Sequence, residues 1–551
     1  MNTYKVYLSK TEDMNKYYLN EVLSLMPRLL SLLDRRPFSS TRGSFDKSYW
    51  HFKTSDFSNA AAQMGMETLA RVWNIDDSSN PYYKNENILN LTKCSLLYTV
   101  SIQHNDGSYD EWYYNERGWA GPTGYVLQSV CKTYQIIKDH LSEKEKSIVI
   151  DSIKRSCLHL DRRDEKNILA NHIAVTIMSL TSSYEILQSP QLKDSIIKWW
   201  KFFQDYSFDE GWSLEYDGID FGYNFASISF LSRTLDSIHL EGLEDYIYKS
   251  FNFLQYFFYP DGTFGGSLGS RNTEHLYPFA IEFWKEKLDI ASRIDSLLKN
   301  KKIKLIPPST QDDHYIMYRT NDYLEAYELH ASKKQETSYL LPFEKEGHWT
   351  KEFKESGIII NKGVSSYFLS NLKKGGAFYY FNLNNSELNR KDSGLIGNLN
   401  GKLLTSSYSS NDWKATYHEK SFSTENRLEK VDNKLFNPLT SSIFKIVVMF
   451  LGSSTFLSYK LKSIIRSLLI VGRNPEKNIH YRREITIQKD NIKVVDSLKG
   501  KASGNIMIED DFTLRYVPQS QYFTEQKLSS SPKFHYKNKN NDFYLEREFE
   551  L

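Results

Sequence analysis

The chain is poor in cysteine, in net charge and in long uninterrupted apolar runs, and each shortage removes a class of function. Only three cysteines, Cys94, Cys131 and Cys157, occur among 551 residues. So sparse and odd a set argues against a disulfide framework, and the spacings match no zinc pattern. Seventy basic residues face 68 acidic ones, a net charge of +2. That balance builds no field to steer nucleic acid, so no nucleic-acid partner is expected. The opening residues, MNTYKVYLSKTEDMNKYY, hold no apolar core of signal-peptide length, which makes a cytoplasmic location the expectation. One strongly apolar stretch, Ile443 to Val471, carries Lys445, Lys460, Lys462 and Arg466. Those charges speak against a membrane span. They suit an amphipathic helix, either docked on the protein or making peripheral contact with a membrane.

Aromatic rings are in excess: 38 Tyr, 32 Phe and 10 Trp make 15% of the chain. A core cannot absorb them all, so some should line a cleft. The segment FFQDYSFDEGWSLEYDGIDFGYNFASISFL, Phe202 to Leu231, gathers rings and acids around glycine turns, as a site for a flat, hydroxylated, elongated ligand would.

Apolar positions at three-and-four spacing dominate the first 300 residues and predict helices. Glycine loops punctuate them: RGSFDKSYW, NDGSYDEWYYNE, DEGWSLEYDG and PDGTFGGSLGSRNT. Gly43, Gly107, Gly211 and Gly262 follow one another at 64, 104 and 51 residues, a repeat of about 50 with one degenerate member. Two helices and two loops fill such a unit. About six units predict a closed (α/α)6 toroid over 1–305, with an open helical solenoid as the alternative. After Pro307–Pro308 the texture changes to short alternating or β-branched runs, such as ESGIIINKG, GGAFYYFNL and HYRREITIQKDNIKVVDSL. These predict an antiparallel β-sandwich over 306–551, with an apolar helical insertion at about 440–471. The fold class is α+β in two domains.

Equivalent loops of a toroid open on one end, so their polar residues should converge on one cleft. They are Glu111, Glu116 and Arg117; Glu215, Tyr216, Asp220 and Tyr223; and Arg271, Asn272 and His275. Asn171 and His172, in LANHIAVTIM, open another helix. Trp112, Trp119 and Trp212 could stack on sugar faces or pack at hairpin ends.

With DGSYDEWYYNE, ANHIAVTIM, EGWSLEYDGIDFGY, PDGTFGGSLGSRNT and YRREITIQKDNIKVVDSL in view, the chain resembles the heparinase II/III-like polysaccharide lyases over nearly its whole length. The resemblance implies β-elimination at a uronic acid, an acidic polysaccharide or lipid-linked oligosaccharide as partner, and a place in bacterial capsule or exopolysaccharide metabolism. It requires no cofactor. Such chemistry neutralises the substrate carboxylate, removes the adjacent proton and protonates the leaving oxygen. By resemblance, Asn171 and His172 match the Asn/His helix start, Tyr216 and Tyr223 the loop carrying the base, and Arg271 and Asn272 a second carboxylate clamp. Tyr216 stands where some of these lyases carry histidine. Seven positions apart, the two tyrosines would share a helical face if the helix began early. Glu111, Trp112, Glu116, Arg117, Trp212, Asp220, Asn272 and His275 complete the expected substrate-binding set.

Two other functions fit the same residues. A glycoside hydrolase would use two carboxylates across the cleft, drawn from Glu111, Glu116, Glu215 and Asp220. A non-catalytic polysaccharide-binding protein would need no acid or base. Asp312, His314, His330 and His348 fall at no recognised ligand spacing, leaving only a structural divalent ion between toroid and sandwich to consider.

Overall fold

The computed structural model describes residues 14–551, apart from 118, 164–168, 330–336, 385–388, 419, 432–434, 467–473, 490, 509–510, 521–532, 538–542 and 551. Twelve principal helices come first among the described residues: α1 (Met14–Leu32), α2 (Gly65–Asn74), α3 (Glu86–Ser101), α4 (Ala120–Ile137), α5 (Glu143–Asp161), α6 (Ala170–Leu187), α7 (Pro190–Gln204), α8 (Phe221–Ser232), α9 (Leu243–Leu254), α10 (Pro278–Trp284), α11 (Asp289–Lys299) and α12 (Ile316–Leu329). The even-numbered helices pack each against the next, and α12 returns to α2. The odd-numbered helices lie against them from outside. An inner helix is covered all round, which is why α6 and α8 read as apolar with small residues rather than as amphipathic. Several of their hydroxyls donate within the helix, Thr176 Oγ1 to His172 O (2.8 Å), Thr181 Oγ1 to Ile177 O (2.9 Å) and Ser227 Oγ to Tyr223 O (3.1 Å), while Ser229 Oγ donates across to Asp322 (3.1 Å).

Gly43, Gly107, Gly211 and Gly262 all adopt left-handed φ values, from 79° to 100°. Each sits on a backbone carbonyl, of Cys94, Arg155, Lys249 and Lys302 respectively, so close that a Cβ would lie within 2.1–2.6 Å of the oxygen. Only glycine fits both the angle and the gap.

The helical part does not end at 305, as the sequence led us to expect. It runs on to Leu329, because α12 supplies the inner helix that meets both α10 and α2. In this helix Asp322 pairs with Arg233 (2.9 Å) and Glu325 with Arg71 (2.5 Å) inside the ring, and such polar buried positions hide its apolar period.

Two antiparallel sheets follow. The smaller runs β3 (Trp349–Phe353), β4 (Ile358–Lys362), β5 (Ser366–Asn371), β6 (Ala377–Asn382) and β7 (Arg390–Asp392), numbering the hairpin Leu214–Glu215/Gly218–Ile219 as β1 and β2. Its alternate residues face opposite ways. Ile358, Ile360, Tyr367, Leu369 and Tyr379 join the helical core, whereas Ile359, Phe368, Phe378 and Tyr380 meet Phe422, Ile485 and Val494 of the second sheet. That nine-stranded sheet comprises β8 (Ile396–Leu399), β9 (Lys402–Thr405), β10 (Lys414–His418), β11 (Ser421–Lys430), β12 (Pro475–Ile487), β13 (Asn491–Lys499), β14 (Gly504–Ile508), β15 (Lys533–Lys537) and β16 (Phe543–Glu550). Within YRREITIQKD, Arg483 is fully buried between Asp392 (3.1 Å) and Asp496 (2.6 Å), so the motif is architectural.

The apolar insertion lies between β11 and β12. It forms two helices rather than one, α13 (Pro438–Leu451) and α14 (Thr455–Arg466), separated at Gly452. The last residues of the expected helix, 467–471, lie outside the described residues.

Candidate active site

Helix α6 starts without a side-chain cap of its own. Glu215 serves instead. Its carboxylate accepts from Asn171 N (2.8 Å) and, through both oxygens, from Asn171 Nδ2 (2.8 Å each). A carboxylate there also complements the helix dipole. The β1–β2 hairpin delivers Glu215, and the residue bridges back to Leu169 at the start of α6. Asn171 is thus gripped by another loop and is not the cap itself.

Arg271 ties this corner to α8. Its Nε donates to Asp220 (2.6 Å) and its Nη2 to Glu215 (3.0 Å). Asp220 in turn caps α8 through Tyr223 N (2.9 Å). The guanidinium lies 3.9 Å from the ring centroid of Tyr223 and 4.7 Å from that of Tyr216. Arg515, from the β half, approaches Tyr216 at 5.0 Å and donates to its backbone oxygen (2.6 Å). Tyr216 sits in the β1–β2 turn with φ of 54°, so the two tyrosines do not share a helical face. They converge because one arginine stands between them.

Electrostatics follow from burial. Burial pushes the Glu215 carboxyl up to about 7 despite Arg271 and the Asn171 donors. Burial also raises both phenols, Tyr223 steeply, while Arg271 pulls each down; at Tyr216 Arg515 adds to that pull. His275 is held well below its ordinary value by burial and by Arg319, which keeps it neutral and unfit as a cationic clamp.

These groups open onto a cavity of about 1040 Å³ lined by Glu111, Trp112, Trp119, Asn171, His172, Tyr216, Tyr223, Arg271 and His275. The His172 ring packs edge-on to Trp119, 5.3 Å between centroids. Trp112, 61% exposed, stands at the rim near Tyr315, whose hydroxyl donates to Glu111 (2.8 Å). Other expected members lie behind the wall. Trp212 is stacked on Phe208 at 3.8 Å in the core. Asn272 is fully buried and exchanges two hydrogen bonds with the Val517 backbone. Asp220 and Glu116 are buried supports, the latter accepting from Glu111 N (2.9 Å) and Trp112 N (2.7 Å), and Arg117 donates to Asn115 (3.2 Å). Residues not foreseen in the wall are Tyr125 of α4, Tyr315, Tyr318 of α12, Lys462 of α14 and Arg515. Glu215, expected in the cleft and as a candidate hydrolase acid, is instead the buried partner of Asn171 and Arg271.

Among the described residues no cluster of three or more His, Cys, Asp or Glu is placed to hold a metal. Asp312 instead accepts from His314 N (2.9 Å) and Tyr315 N (3.2 Å), and His314 faces Asp46 at 3.4 Å. His330 lies outside the described residues.

Helical ring, double sheet and cleft together have a polysaccharide lyase fold, the fold class that the sequence motifs implied. Two solved structures carry that likeness. The chondroitin AC lyase of Streptomyces coelicolor A3, solved in complex with chondroitin sulphate, superposes with a TM-score of 0.55 at 9% identity, over 91% of this chain and 68% of that one. The xanthan lyase of Paenibacillus does so with a TM-score of 0.53 at 10% identity, over 90% of this chain but only 47% of the other, so this chain spans about half of that enzyme's length. No family model and no curated protein matches the sequence.

Proposed function

We propose that the protein is a polysaccharide lyase that cleaves a uronic-acid-containing glycan by β-elimination in the cavity below Trp112. The observation that carries this reading is the single cation Arg271 set between two tyrosines, beside an Asn171 amide clamped by Glu215. The Arg271 guanidinium, held at the cavity wall by Glu215 and Asp220, and His172 engage the uronate carboxylate and stabilise the charge that spreads onto it as the neighbouring C–H bond breaks. Tyr216, flanked by two guanidinium groups, is the phenol better able to lose its proton, and it takes the proton from that carbon. Tyr223, whose phenol burial keeps protonated, donates to the departing glycosidic oxygen. The C–O bond breaks, a C=C bond forms, and the two tyrosines exchange protons with solvent to reset.

The alternation of packed inner and outer helices supports a closed (α/α)6 toroid as the scaffold, with the two sheets as the sandwich. A hydrolase is less well supported. Glu215 and Asp220 are both spent on Arg271, and Asp220 does not reach the cavity wall. The link to capsule or exopolysaccharide metabolism, and to polymer carried on a lipid, rests on the motif resemblance.

The test incubates purified protein with uronate-containing polysaccharides and follows the ultraviolet absorbance of the unsaturated product. Tyr216→Phe and Tyr223→Phe should each abolish cleavage of polymer while binding persists. On a uronide with a good aryl leaving group, Tyr223→Phe should recover turnover and Tyr216→Phe should not. New reducing ends without ultraviolet absorbance would sink the lyase reading.

A further inference from the structure

The two helices of the insertion are each split lengthwise into an inward and an outward stripe. On α13, Phe444 and Val448 line the cavity, whereas Leu439, Ile443, Ile446 and Phe450 follow at four-, three- and four-residue steps along the opposite side. On α14, Ser458, Lys462 and Ile465 face inward, and Phe456, Leu457 and Ile464 face out. The inward stripe is firmly seated. Ser458 Oγ lies against the backbone oxygens of Asn115 (3.0 Å) and Glu116 (2.7 Å), Thr455 Oγ1 donates to Asp106 (2.8 Å), and Lys462 pairs with the Glu116 carboxylate while lying 3.8 Å from the Trp119 ring centroid. The outward stripe is bare: Leu439 is 70% exposed, Phe450 67%, Phe456 63% and Ile464 55%. Just before α13, Leu435 is exposed as well, whereas Phe436 turns to the cavity side and packs on Phe444 at 5.9 Å.

Charge says what this surface fits. Basic and acidic residues balance over the whole chain, yet Pro438 to Arg466 contains Lys445, Lys460, Lys462 and Arg466 and no Asp or Glu. A protein partner would commonly offer a mixed rim, but an apolar stripe on a segment whose own charges are all basic, with Lys460 over the outward Phe456 ring and Lys445 half-exposed beside Asp56, matches an acyl layer beneath anionic headgroups. Helices of 14 and 12 residues cannot cross a bilayer, and no helix among the described residues is long and apolar enough to do so. They can lie in its surface.

We propose that the α13–α14 hairpin is a peripheral membrane-docking element that beds its outward face in an anionic lipid surface and holds the mouth of the catalytic cavity against it. Docking itself does not rest on the lyase reading, since it is measured without turnover. Only its use, presenting membrane-borne glycan to the cleft, does.

The test is co-sedimentation of the full chain with phosphatidylcholine vesicles, with and without about one-third phosphatidylglycerol. The wild type should pellet with the anionic vesicles, and high salt should weaken that binding several-fold. The double variant Ile446→Glu/Phe450→Glu should lose at least five-fold in the pelleted fraction, with unchanged circular dichroism and unchanged cleavage of soluble polymer. Phe38→Glu, at a fully exposed ring outside the insertion, should pellet like the wild type. Failure of the wild type to bind either vesicle, equal binding by the double variant, or self-association abolished by the double variant without vesicle binding would each overturn the proposal. The last outcome would make the face an interface between copies.

Discussion

Glu215 stands behind the cavity wall and acts on the candidate site through the residues it holds. It holds Asn171 and Arg271 at once, and both grips require the ionised carboxylate. With its pKa pushed up to about 7, the group gains a proton as pH falls through neutrality, and the clamp loosens. The sign differs for stability. A raised carboxyl favours the folded state below the ordinary value of 4.5, and that contribution is lost as pH rises through about 7. Activity and stability should therefore run in opposite directions across this window. The kcat/KM of the wild type should rise through an apparent pKa near 7, and Glu215→Gln should flatten that limb while lowering kcat by about 10²-fold or more. A limb that survives in the variant would assign the titration elsewhere. Glu215 was readable as an acid beside Tyr216, but not as a partner of Asn171, because 44 residues separate the two and only the β1–β2 turn closes the gap.

At the scale of elements, the periodic glycines were the most legible signal. Each of the four must hold a left-handed angle while pressed on a carbonyl, so the spacing in the chain reports the spacing of helical pairs. Gly107→Ala should cost at least about 2 kcal/mol, combining the strained angle with a backbone collision. Gly401→Ala, with a φ of 75° but nothing within 4 Å of the added carbon, should cost only the angular part, about 1 kcal/mol. Urea denaturation of the two variants checks the difference. Legibility failed where helices bury charge. The ion pairs that α12 contributes to the ring centre make its residues look like a linker, so the helical part seemed to end too early. The strands of the smaller sheet were legible for the opposite reason. Runs such as III and FYYF are apolar on both faces because both faces are covered.

For the whole molecule, the β half is part of the cleft and not a passive platform. Arg515 reaches Tyr216, Lys462 stands over Trp119, and Lys374 donates from the β5–β6 turn to the Ser267 backbone. None of these could be foreseen, since each joins residues more than 100 positions apart and local pattern carries no trace of such closure. Arg515→Ala should lower kcat by about 10²-fold through a displaced Tyr216, with KM and the far-ultraviolet circular dichroism little changed. An intact kcat would show that the helical half positions its tyrosine alone. The five-stranded sheet extends the argument beyond catalysis. Its two faces belong to two different cores, so a break in the gene anywhere between the halves would strip one core of a wall. Neither half is an interchangeable module, and the pair is expected to be inherited, shuffled and lost as one piece.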